Sequence, residues 1–178
     1  MATRHVLVPT DFSEPAHHAV QYAIEEATAH HAKVTLLHVQ PSTAGTDVYY
    51  VRGEPSSGLE AGFNLVTGGG LGVAPLAEPT VVLHDLVEEA LTRLRDLVPK
   101  TFHGSWDVEI AVGRPAETII RLAEERDVDL IVMATHGRTG LGHVVLGSVA
   151  EKVVRLAPCP VLTIKHTGNE VDRPRARG

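Results

Sequence analysis

Two periods alternate along the chain: short apolar runs of strand length, then longer stretches in which apolar residues return every three or four positions. The first run, "RHVLVPTDF", closes at Pro9, which has no N–H to continue a sheet ladder, and predicts a strand over about residues 4 to 9. In "SEPAHHAVQYAIEEATAHHA", Ser13 is placed to cap a helix and Pro15 falls in its first turn. Ala16, Ala19, Val20, Ala23, Ile24 and Ala27 then share one face. "KVTLLHVQ" is β-branched and apolar, a second strand ending near Pro41.

Helical periodicity resumes in "TVVLHDLVEEALTRLRDLVP", with Val82, Leu86, Ala90, Leu94 and Leu97 on one face. "WDVEIAVG" alternates as a third strand, "RPAETIIRLAEERD" is helical, "VDLIVMAT" is a continuous apolar strand, "SVAEKVVRLAP" is helical and "CPVLTIK" closes as a fifth strand. Residues 41 to 79, rich in Gly, Pro and Ser, hold no sustained period and read as a flexible insert.

Strands alternating with helices imply right-handed crossovers, hence an α/β fold: an open, Rossmann-like, five-stranded parallel sheet with helices on both faces. The expected order is 3-2-1-4-5, with "LIVMA" apolar on both sides because it is buried. Residues 1–166 are expected to form one domain and 167–178, containing "RPRAR", a disordered tail. In such sheets ligands sit beyond the carboxyl ends of the strands where the winding reverses. Here those ends are "PTD" and the glycine-rich "THGRTGLGHVVLGS".

Composition narrows the ligand. The 178 residues allow one sizeable core, and a net charge of −6 argues against nucleic acid as a partner. The uncharged stretch over residues 65 to 76 is broken by glycines and a proline, so no membrane span is expected; the start lacks a signal-peptide pattern. Cys159 is the sole cysteine, which fits a reducing compartment, and a cytoplasmic location is expected.

Spacing then tests the glycine loop. "GHVVLGS", residues 142 to 148, puts Ser148 where a Walker A lysine belongs, and "GLGHVV" lacks the third glycine of a dinucleotide fingerprint. What remains is the general anion site made by turn amides and a helix N-terminus. Ser148 would open the last helix, Arg138 and His143 would add donors, and no carboxylate lies between positions 135 and 150. The same glycines would also serve a plain tight turn, with Ser148 merely at a helix end.

These segments resemble the universal stress protein family: "VLVPTDFSEPAHHAV", "LLHV", "VGRPAETII" and "DLIVMATHGRTGLGHVVLGSVAEKVVRLAPCPVLTIK" carry the likeness. The nucleotide-binding branch of that family has G-x2-G-x9-G-[ST], which reads here as Ala134, Gly137, Gly147, Ser148, so the first glycine is replaced. The resemblance implies that Asp11 bonds the ribose hydroxyls, backbone groups of Thr10 and Val39 hold adenine, and Met133 and Ala134 line the base and ribose. Gly137, Arg138, Gly147, Ser148 and Val149 would contact phosphates. ATP, or AMP or ADP, is the implied cofactor, with Mg²⁺ bridging phosphate oxygens. The implied role is a stress-response or signalling module with an unidentified protein partner and weak ATP hydrolysis at most. A homodimer would form through the last strand, residues 159–165, pairing antiparallel with its copy.

Other readings are weighed against this one. A nucleotide-free dimeric interaction protein is favoured by Ala134 and opposed by Gly137, Gly147 and Ser148. An enzyme making or cleaving an adenylate would need groups from the insert, whose charges are Asp47, Arg52, Glu54, Glu60 and Glu78. No catalytic residue is assigned: "LGSVA" is not the strained G-x-S-x-G elbow of a serine hydrolase. Nor is a metal ligand set assigned. Adjacent residues of a helix point about 100 degrees apart, so His17/His18 and His30/His31 are not chelates, and His38 reads as a hydrogen-bonded core histidine.

Overall fold

The computed structural model describes residues 3–41, 49–53, 81–135 and 146–165. Its elements are β1 (His5–Pro9), α1 (Glu14–His30), β2 (Lys33–Pro41), β3 (Tyr49–Gly53), α2 (Val81–Asp96), β4 (Trp106–Gly113), α3 (Pro115–Glu125), β5 (Leu130–Ala134), α4 (Ser148–Leu156) and β6 (Val161–Ile164). Helix α1 begins as its sequence dictates: Ser13 is extended and its hydroxyl accepts the Ala16 N–H at 3.4 Å.

The sheet runs β3-β4-β2-β1-β5-β6. Five strands are parallel in the expected order, β4-β2-β1-β5-β6, with helices on both faces. The sixth corrects the reading of residues 41 to 79 as wholly irregular, because β3 pairs antiparallel with the outer edge of β4, Val51 opposite Ile110. Five residues are too few for a period to register, and the β-prone "YYV" was the only local sign.

Strand alternation divides the core. Val6, Val8, Val34, Leu36, Val108, Ile110 and Val132 face α1 and α2; Leu7, Leu37, Val39, Ala111, Ile131 and Met133 face α3 and α4. The buried stripe of α2 is Val87, Leu91, Leu94 and Val98, with Ala90 and Leu97 at its margin. The expected face was thus turned part of the way round the helix; the side chains of Val82 and Leu86 lie outside the described residues.

At the amino ends of the strands a polar network crosses the sheet. The Thr35 hydroxyl donates to Asp107 Oδ1 at 2.5 Å, and His5 Nε2 lies 2.8 Å from the same hydroxyl. Lys33 Nζ meets Asp107 Oδ2 at 2.8 Å, and Arg126 meets Glu109 Oε1 at 3.2 Å. Asp107 and Glu109 are almost fully buried. Burial pushes the His5 imidazole below its usual range, against the opposing pull of its bond to the Arg126 carbonyl. Asp129 accepts the backbone N–H groups of Arg4 and His5, which hold its carboxyl low.

Candidate functional site

At the carboxyl ends of the strands, β1 stops first. Its register with β2 ends at Pro9 opposite Leu37, whereas β2 continues to Pro41. The Thr10 N–H adds one more bond, to the Leu37 carbonyl at 2.8 Å. Backbone groups of a strand alternate sides, so Val39 aims its N–H and C=O the same way as Leu37, over the end of β1. Main-chain polar groups of β2 therefore continue beyond the end of β1 on its side of the sheet.

The turn from β1 to α1 is tightly held. Thr10 offers its carbonyl to His38 Nδ1 at 2.9 Å and its hydroxyl oxygen to the Phe12 N–H at 3.1 Å; Asp11 Oδ1 accepts the Ser13 N–H at 3.0 Å. Phe12 itself has φ 63°, the left-handed region, which a bulky residue enters at about 1–3 kcal/mol. Contacts to its ring offset that cost: the His38 ring centroid lies 4.5 Å away and the Arg93 guanidinium carbon sits 4.0 Å from the ring centroid. His38 is buried and hydrogen-bonded, as its place in a strand predicted.

On the other side of β1 stands β5. Met133 and Ala134 are both buried, but on opposite faces: Met133 packs with the α3–α4 cluster that also holds Val39, and Ala134 with the α1–α2 cluster. Thr135 donates its N–H to the Ile164 carbonyl at 3.0 Å and its carbonyl accepts the Gly147 N–H at 2.7 Å. The two ends of the glycine-rich segment are thus joined by one hydrogen bond.

Gly147 then caps α4 in an extended conformation, φ −70° and ψ 156°, which any residue adopts. Its N–H is committed to Thr135, while Ser148 is exposed at the helix start and Val149 is half-buried against the α3–α4 face. The first amides of α4 and the dipole of the helix favour an anion there. One turn on, Lys152 bonds Glu117 of α3 at 2.8 Å and so pulls the Glu117 carboxyl below its usual range, tying α4 to α3.

Of the ten residues singled out beforehand, Thr10, Asp11, Val39, Met133, Ala134, Gly147, Ser148 and Val149 lie at the ends of β1, β2 and β5 or at the start of α4. Gly137 and Arg138 lie outside the described residues, as does His143. Sequence reasoning missed Phe12 and Arg93. A positive φ leaves no mark in composition, and Arg93 is one of several charges on the polar side of its helix.

A family model described as the universal stress protein family matches residues 2–61 and 71–165. The chain belongs to the universal stress protein family. Universal stress protein MJ0531 of Methanocaldococcus jannaschii is 32% identical over 171 residues, covering 94% of this chain and 85% of its own length. Universal stress protein MJ0577 of the same organism is 31% identical over 167 residues, covering 91% of this chain and 94% of its own length. A solved structure of protein MJ0577 superposes with a TM-score of 0.68 and 26% identity over 94% of this chain and 99% of that one. A more distant universal stress protein, 21% identical, was solved in complex with cAMP; it shares the fold at a TM-score of 0.56 over 93% of this chain and 98% of its own. Among the described residues, no helix is long and apolar enough to cross a membrane.

Proposed function

We propose that this universal stress protein binds an adenine nucleotide, ATP foremost, beyond the carboxyl end of β1. The single observation that carries the reading is the hydrogen bond from Gly147 to Thr135, because it brings the last two residues of the G-x2-G-x9-G-[ST] spacing beside its first position on β5. Adenine is held by Val39 backbone groups and by the Thr10 carbonyl, whose second lone pair remains after the His38 bond. Asp11 takes the ribose hydroxyls and Met133 lines the base.

Phosphates lie against α4. With the Gly147 N–H committed, the amides of Ser148 and Val149 and the Ser148 hydroxyl do the holding. Gly147 contributes by lacking a side chain, since its backbone angles do not require glycine. Gly137 and Arg138, which lie outside the described residues, are the further phosphate contacts that the family resemblance implies, and a bound Mg²⁺ would supply charge neutralisation for the phosphates. The cAMP complex of a relative with this fold supports the class of ligand.

Ala134, where the family pattern has glycine, supports a nucleotide-free second reading, that of a dimeric interaction protein. Its methyl group packs within the α1–α2 cluster, however. The protein then acts as a cytoplasmic stress or signalling module, dimeric through residues 159–165, with nucleotide occupancy read by a protein partner and weak hydrolysis at most. Mass spectrometry of small molecules released from the purified, denatured chain separates the readings. Co-purified adenine nucleotide supports the first, and its absence after expression and gentle purification supports the second.

A further inference from the structure

We infer that Arg93, on α2, is a positioning residue for the ribose end of the site; the inference rests on the nucleotide reading above. Phe12 stands between Asp11 and Ser13, so the left-handed turn at Phe12 sets how the Asp11 carboxylate meets the Ser13 N–H at the start of α1. A return of Phe12 to an ordinary φ would carry the Ser13 N–H away from the Asp11 carboxylate and release that side chain from the turn.

An unfavourable backbone state persists only where its surroundings hold it. Two side chains from other elements grip the Phe12 ring: the His38 imidazole, itself bonded to the Thr10 carbonyl, and the Arg93 guanidinium, 4.0 Å from the ring centroid. The ring's negative face attracts the cation. His38 is buried within the sheet, whereas Arg93 is exposed and replaceable without disturbing the core. Helix α2 thereby fixes the aim of a carboxylate on the β1–α1 turn.

The test is calorimetric titration of the full chain with Mg²⁺-ATP and with Mg²⁺-2′,3′-dideoxy-ATP, which lacks the hydroxyls assigned to Asp11. Arg93→Met should weaken ATP binding roughly two- to fivefold, the range of an exposed cation–π contact, and leave the dideoxy analogue unchanged. Arg93→Lys, which keeps the cation, should restore wild-type affinity. Phe12→Leu, which keeps apolar bulk without the π face, should reproduce the loss, and in an Asp11→Asn background Arg93→Met should add nothing further. Equal losses for both nucleotides would make Arg93 a phosphate contact or a general support and overturn the inference. Undiminished ATP binding by Arg93→Met would overturn it as well. A wild-type chain that binds neither nucleotide would sink the nucleotide reading itself, a different failure.

Discussion

The two ends of the sheet use polar residues in opposite ways. At the amino ends, Lys33, Thr35, Asp107, His5, Glu109 and Arg126 pair with one another in a network whose carboxylates are 2% and 1% exposed. At the carboxyl ends, Thr10 and Asp11 spend their side chains on shaping a turn, Val39 aims its main chain over the end of β1, and Ser148 opens a helix into solvent. Closed polar groups hold the sheet; polar groups arrayed around an opening can hold something else.

Substitutions should separate the two ends, and the largest effect belongs to the closed one. Asp107→Ala leaves the buried Thr35 hydroxyl and the Lys33 ammonium without their acceptor, and should lower stability by about 3 kcal/mol in urea denaturation. Nucleotide affinity of the molecules still folded should not change. If affinity fell in proportion, the two ends would be one cooperative unit and the contrast would fail.

Asp11→Asn is the complementary change. It keeps an oxygen for the Ser13 N–H, so the turn survives, but removes the charge proposed to bond ribose, and should weaken ATP binding about tenfold with little loss of stability. A stability loss comparable to that of Asp107→Ala, with affinity intact, would make Asp11 another structural group.

The side edge offers a third test. Strand β6 ends the sheet with Val161 to Ile164 half-buried, an open template for pairing. Leu162→Pro should turn the proposed dimer into a monomer in sedimentation velocity; a wild-type chain already monomeric, or a variant still dimeric, would remove β6 as the interface.

The smallest effect is in pH. Burial lowers the folded-state value of His5 below 6.5, so the unfolded chain binds the proton first and stability should fall as pH drops below about 6.5. His5→Gln should flatten that part of a stability profile measured by urea midpoints. A profile steeper than wild type would mean that the imidazole gains rather than loses protons on folding.

Much of the open end was readable from residues alone, and little of the closed end. The apolar runs and the 3.6-residue returns marked the parallel strands and the helices, and the switch point followed from connection rules, because both depend on patterns repeated along the chain. Strand β3 escaped because its pairing is supplied by β4 rather than by its own period. Asp107 and Glu109 alternate with Val108 and Ile110, a pattern that ordinarily marks a wet face; only tertiary partners reveal that both carboxylates are buried. The turn at Phe12 was hidden for the same reason, since what holds it comes from β2 and α2.

The contrast between the two ends stands or falls with one titration. Wild-type chain stripped of small molecules and titrated with ATP in the presence of Mg²⁺ should show one site per chain with Kd on the order of tens of micromolar or tighter. No heat of binding across several temperatures, at protein concentrations able to register that affinity, would contradict the assignment of the carboxyl ends as a nucleotide site.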